Sequence, residues 1–169
     1  LKITQQIIVK LTPIILREIY QTRILRKHRE LLNTPETIVG ELVTFKKFSF
    51  KDFESYYSLV GNPHCTDLFF INSHINMVPT FDLNHYLYLQ LVSQFFGNRV
   101  MYSISDNKRG EIEGMIELIL VHDPKTYEFH HYEIAGFARP RQWGTGTAIE
   151  SVKLASNIFF KTSKEDVLY

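Results

Sequence analysis

Apolar positions along the chain follow two spacings, and the switches between them mark out the elements. Over residues 12–32, Ile15, Ile19 and Leu25 are among the apolar positions of a predicted helix. Thr12-Pro13 supplies its cap and first-turn proline, and Asn33-Thr34-Pro35 its stop. From Glu41 the pattern changes, and "ELVTFKKF" predicts a strand. "SFKDFESYYSLV" then predicts a helix, with Ser49 as N-cap, Asp52 three residues on, and Gly61-Asn62-Pro63 as the stop. Residues 64–82 are irregular and aromatic. A second helix is predicted over Leu83–Phe96 and broken at Gly97-Asn98. "RVMYSIS", "IEGMIELILV" and "YEFHHYEIAGFA" predict three consecutive strands, separated by the turn "DNKRGE" and by Asp123-Pro124. A long helix follows from about Thr145 to Thr162, and "DVLY" opens another strand. The order is strand, helix, helix, three strands, helix, strand. It predicts an α+β domain on a mixed sheet, not a regular βαβ array.

Composition narrows the class. The 169 residues are 44% hydrophobic and 22% charged, ordinary for a soluble globular domain. No apolar run is long enough to span a bilayer, and no stretch resembles a cleavable signal peptide. Cys65 is the single cysteine, so an internal disulfide is excluded; a reducing, cytoplasmic setting is expected. The histidines are scattered apart from His130-His131, without metal-ligand spacing, so no metal site is expected. The net charge of +1 conceals an asymmetry. Residues 1–33 carry seven Lys or Arg against two Glu, and the remainder is mildly acidic. That leader is read as a basic helix and linker (1–38). It serves as a solvated face, a homodimer element, or a weak contact for nucleic acid or the ribosome. The domain proper is placed at 39–169. Leu1 is not an initiator Met, so a trimmed start is expected.

The chemistry concentrates in "PRQWGTGTAIES", residues 140–151. A glycine turn between strand and helix leaves helix N–H groups unpaired at the positive end of the dipole, and a phosphate satisfies both. A Walker loop is excluded, because one residue separates the glycines and no Lys follows. The dinucleotide fingerprint is excluded as well, since its third glycine would fall on Ile149. Arg141-x-x-Gly144-x-Gly146 instead fits the Arg/Gln-x-x-Gly-x-Gly/Ala signature of the GNAT acetyltransferase superfamily. The surrounding stretch resembles the Rim branch, the ribosomal-protein N-terminal acetyltransferase type. Glu133, Ile134, Pro140, Trp143, Gly144, Gly146, Ala148, Glu150 and Phe160 fall in place without a gap. The resemblance covers about residues 39–169.

The resemblance implies a GNAT fold: a mainly antiparallel sheet with a splayed parallel pair, whose second strand begins at "DVLY". It implies acetyl-CoA as co-substrate, with its pyrophosphate on the amides of Gln142, Trp143, Gly144, Thr145, Gly146 and Thr147 and charge added by Arg141. Phe137, Ala138, Arg139 and Ala148 complete the cofactor-binding set, and a bulge near Ala135-Gly136-Phe137 splays the strands. Transfer to a primary amine, on a protein N-terminus, a polyamine or another small molecule, is implied to be direct. Strand N–H groups would stabilise the oxyanion. Glu133 is the nominated proton acceptor. Its bland counterpart is a salt-bridge partner at a strand edge. Glu150 is expected to hydrogen-bond within the fold, Trp143 to pack under the loop, and His130 and His131 to point to opposite faces in non-catalytic roles. Phe69, Phe70 and Tyr86 are equally acceptor lining or core, and Cys65 is not expected to be a nucleophile. The sequence departs from the pattern at Gly136, where an aromatic is usual, and at Tyr169, where the family continues with a helix and two strands. The C-terminal part of the domain is therefore expected to be missing from this chain. A non-catalytic coenzyme-binding or interaction module is the alternative.

Overall fold

A computed structural model describes residues 30–60, 90–123 and 129–163, together with Leu16 and Leu168. The expectations for the helix over 12–29, for Cys65, Phe69, Phe70 and Tyr86, and for the Gly61-Asn62-Pro63 stop lie outside them, apart from a helical Leu16.

The sheet has five strands in chain order: β1 (Thr37–Val39), β2 (Val43–Lys47), β3 (Arg99–Asp106), β4 (Ile112–His122) and β5 (Phe129–Ala138). Every neighbouring pair is antiparallel. Beyond β5, Leu168 makes a parallel bridge to Tyr132. This puts Leu168, the described residue of "DVLY", where the second strand of a parallel pair was expected.

Among the described residues, three helices pack on the sheet. α1 (Phe53–Val60) continues a 3₁₀ turn over Phe50–Asp52. The capping box is present, with the Ser49 N–H donating to Asp52 Oδ2 at 2.7 Å and its hydroxyl at 2.9 Å. α2 covers residues 90–95, and α3 is Thr147–Thr162.

Alternation along β3 and β4 buries both faces. Val100, Tyr102, Ile104, Ile116, Leu118 and Tyr132 pack towards α3, with Ala155, Ile158 and Phe159. Tyr132 and Phe159 meet edge-on, with centroids 5.0 Å apart. On the opposite face Met101 and Met115 pack with Phe48 and Tyr56, against Phe53, Leu91 and Phe137.

Two local differences from the sequence reading have physical causes. Glu41 and Leu42 are not strand residues; they form the turn of a β1–β2 hairpin, and β1 itself was not foreseen. Glu30–Asn33 form a 3₁₀ turn whose Leu31 is buried in the α3-side core. That core therefore takes in residues ahead of position 39.

Candidate functional site

β5 ends at Ala138 and the chain turns through a 3₁₀ segment, Pro140–Gln142, into α3. The turn is held from inside. Gln142 is buried, donates through Nε2 to Asp106 Oδ2 at 2.9 Å, and accepts through Oε1 from Thr147 Oγ1 at 2.9 Å. Those contacts fix both ends of the amide. The Gln142 bond first, then the backbone N–H groups of Lys108 and Arg109, hold the Asp106 carboxyl below the usual carboxylate range. Thr145 Oγ1 closes the loop on the Gln142 carbonyl at 2.7 Å.

The loop's backbone divides into paired and unpaired amides. Gln142, Trp143 and Thr145 donate to carbonyls three residues back, at 2.9, 3.0 and 3.3 Å. Gly144, Gly146 and Ala148 have no acceptor for their N–H among the described residues. Gly144 (φ 75°) and Gly146 (φ 88°) are left-handed, a region other residues enter only at a cost of about 1–2 kcal/mol. Gly146 caps α3 without any side-chain cap bond, so the first turn keeps its positive end open.

Arg141, expected to add charge at the pyrophosphate, is in contact with two carboxylates. Its Nε donates to Glu113 Oε2 at 2.8 Å, and its Nη2 reaches both Glu113 Oε1 and Glu111 Oε2. The Glu113 side chain is fully buried. It sits where β3 and β4 slip register, between the Ile104–Gly114 and Ser105–Ile112 pairs. Arg141 thus pins the loop to β4, and its hydrogen bonds to Glu113, then Glu111, push its pKa further up. Trp143 is not packed beneath the loop. It is half exposed, with its indole N–H on the Ala138 carbonyl at 3.2 Å.

Glu150 does what was expected of it. Its carboxylate accepts the N–H groups of Glu41, Leu42 and Val43 at 2.5, 2.8 and 3.1 Å, which ties the hairpin turn to α3.

The bulge expected at Ala135-Gly136-Phe137 is absent. Pairing of β4 with β5 runs unbroken from Gly114–Ala138 to Val121–His131, and the slip comes at His122. The strand needs no bulge to offer its backbone. Arg139 N–H bonds to the Glu113 carbonyl at 2.7 Å, and antiparallel ladders alternate. Phe137 and Ala135 therefore face β4, while the N–H and C=O of Gly136 and Ile134 face the opposite, open edge. There a groove of about 150 Å³ lies between residues 134–138 and Ala148, Ser151 and Val152 of α3.

The remaining predicted residues take up the other sheet face. Phe137 stacks edge-on with Tyr56 at 6.0 Å, and Arg139 Nη2 donates to Ser58 Oγ at 2.6 Å. Glu133 is 46% exposed and meets His131 Nε2 at 2.9 Å. Among the described residues there is no group of three or more metal-type ligands. None of their helices is long and apolar enough to cross a membrane.

An antiparallel sheet in this order, with a parallel bridge beyond β5 and a glycine-led helix beside it, is the fold of the GNAT acyl-CoA N-acyltransferases. Among solved structures, an acetyltransferase from Agrobacterium tumefaciens matches with TM-score 0.58 and 20% identity over 80% of this chain and 72% of that one. Spermidine N-acetyltransferase from Vibrio cholerae, in complex with CoA and spermine, matches with TM-score 0.54 and 17% identity over 72% and 66%. RimL, a ribosomal L7/L12 α-N-protein acetyltransferase in complex with coenzyme A, matches with TM-score 0.58 and 12% identity over 72% and 66%. This chain thus spans about two thirds of the length of the last two. No family model matches the sequence, and no curated protein matches it significantly.

Proposed function

We propose that this chain moves the acetyl group of acetyl-CoA to a primary amine by direct transfer. The observation that carries the reading is the groove beside β5, which runs from the outward-facing strand edge at Ile134 and Gly136 to Ala148 at the start of α3, next to the glycine turn. The residues present suit the coenzyme. Gly144, Gly146 and Ala148 offer N–H groups to a pyrophosphate. Gly136 and Ile134 offer a strand edge to the amides of the pantetheine arm. The Ser151 hydroxyl, in a residue only 3% exposed, has no partner among the described residues and borders the same groove. Arg141 is a positioning residue in this scheme, since two carboxylates already neutralise it.

Bound there, acetyl-CoA supplies a thioester as the electrophile. The chain's own task is to present a neutral amine to it. An α-amine titrates near 8 and a lysine near 10.4, so at neutral pH the acceptor arrives as an ammonium and must lose a proton. Glu133, half exposed and fixed by His131, is the carboxylate assigned to accept it. The amine nitrogen then bonds to the acetyl carbon as the carbon–sulfur bond breaks, and the thiolate leaves and takes up a proton. The likeness to a polyamine and to a protein N-terminal acetyltransferase supports an amine acceptor. The Rim-type run from Glu133 to Phe160 supports that branch.

The test is thiol release from acetyl-CoA with a panel of amines. Glu133→Gln should lower kcat by about 10²–10⁴-fold while leaving coenzyme affinity unchanged. An intact chain that neither binds coenzyme nor releases thiol would sink the proposal.

A further inference from the structure

The glycine turn owes its shape to side chains around the glycines. Gly144 and Gly146 have the widest backbone freedom in the turn, so their N–H groups hold one direction only if the flanking residues are fixed. Three side chains fix them. Thr145 Oγ1 bonds the Gln142 carbonyl and lies 2.8 Å from Thr147 Oγ1, while the Thr147 N–H reaches Thr145 Oγ1 at 3.4 Å. Thr147 Oγ1 in turn donates to Gln142 Oε1. Gln142 and Thr147 are each 4% exposed, so this knot is shut off from water.

Gln142 carries the knot across to the sheet. Its Nε2 donates to Asp106 Oδ2, and Asp106 is itself immobilised. Asp106 Oδ1 takes the N–H groups of Lys108 and Arg109 at 2.7 and 3.3 Å, and the Asp106 carbonyl takes that of Gly110 at 2.7 Å. The next residue, Asn107, donates to the carbonyls of Gly40 and Glu41 at 2.9 and 3.1 Å and accepts from the Thr44 hydroxyl at 2.7 Å. The β3–β4 turn is therefore a fixed post, and the Gln142 amide is the strut between it and the glycine turn. An amide suits both ends, because Asp106 needs a donor and Thr147 an acceptor. A carboxylate at position 142 would offer no donor and would face the Asp106 carboxylate at close range.

We propose that Gln142 is a positioning residue for the coenzyme: anchored on Asp106, its side chain holds the Gly144 and Gly146 N–H groups where the pyrophosphate meets them. This deepens the acetyl-CoA reading and rests on it. Fixing the backbone of one residue is worth about a tenfold change in an equilibrium constant. A turn released from its strut must be ordered by the ligand instead, and binds it about tenfold or more weakly. The transfer step does not depend on the strut.

The experiment titrates the full chain with coenzyme A by calorimetry. Gln142→Glu should weaken binding by about tenfold or more. The exchanged pair Asp106→Asn/Gln142→Glu should restore it. An amide at position 106 can keep its bonds to Lys108 and Arg109 and donate to the carboxylate at 142, which still accepts from Thr147. With any amine that gives thiol release, Gln142→Glu should raise the KM of acetyl-CoA and leave kcat at saturation in place. A folded Gln142→Glu variant with unaltered coenzyme affinity, even one with a lowered urea midpoint, overturns the proposal. So does an exchanged pair that binds as weakly as the single variant. If Gln142→Glu fails to fold, Thr147→Val removes the bond at the other end without adding a charge. It should weaken coenzyme binding in the same way, and unchanged affinity there overturns the proposal equally. Wild type that binds coenzyme A without releasing thiol sinks the transfer reading and leaves this inference standing. Wild type that binds no coenzyme A sinks both.

Discussion

Arg141→Ala separates two roles that the sequence cannot tell apart. If the guanidinium were a phosphate ligand, its loss would weaken coenzyme binding and leave stability within about 0.5 kcal/mol, as for most surface substitutions. The geometry argues otherwise. Arg141 makes a two-pronged contact with Glu113, whose side chain is fully buried, and a third bond to the exposed Glu111. Removing one member of a buried pair strands the other charge and costs about 3–5 kcal/mol. Arg141 is itself 43% exposed, so the loss is expected at the low end of that range, and the exposed Glu111 arm adds little to it.

For a domain of this size each kcal/mol lowers Tm by about 2–4 °C, so the variant should melt roughly 6–12 °C below wild type. Urea unfolding followed by far-ultraviolet circular dichroism measures the loss. The double variant Arg141→Ala/Glu113→Gln is the control, because a neutral amide needs no cation. It should recover about 1–3 kcal/mol of the deficit as a coupling term. An Arg141→Ala variant with an unchanged urea midpoint and a large fall in coenzyme affinity would refute this reasoning and return the arginine to the ligand.

Gly146→Val should abolish coenzyme binding, measured by calorimetry, and keep the fold. A Cβ there meets only Leu42 Cδ1, at an ordinary 3.5 Å, and the left-handed φ adds about 1–2 kcal/mol of strain. Global unfolding of that variant would make the glycine structural instead. Glu150→Gln loses a charged acceptor shared by three N–H groups and should cost about 1–3 kcal/mol in urea unfolding, with no change in the amine's KM. A changed KM would place Glu150 in the chemistry. Burial pushes the Tyr102 hydroxyl up to about 12, and it donates to the Pro35 carbonyl at 2.7 Å. Between about pH 10 and 12 the unfolded chain binds fewer protons than the folded one, so this contribution is whole below pH 10 and is lost as pH rises to 12. Tyr102→Phe should flatten that limb of the stability–pH curve; an unchanged limb would show that Tyr102 is not its source.

What the sequence disclosed and what it hid divide along the range of the interactions involved. The Ser49–Asp52 capping box, the alternation in β3 and β4 and the glycine turn before α3 are settled within a few residues of chain, and each was legible there. β1 was hidden because its three residues, Thr37–Val39, are too few to display a period, and it forms only because β2 offers it an edge. Glu113 and Glu117 were hidden for a different reason. In "EIEGMIEL" alternation alone reads both glutamates as surface positions. Their burial depends on cations brought in from afar, Arg141 after a further strand and loop, and Arg99 from the strand opposite. Taken alone, Arg141 matched a phosphate-binding motif, since nothing within ten residues of it could reveal two carboxylates already in place. The glycines of the motif mark the left-handed turn that leads into α3. The register of β4 against β3 and β5, which no local pattern encodes, assigned the charges. The same register turns the N–H and C=O of Gly136 and Ile134 away from β4 and towards the groove beside α3.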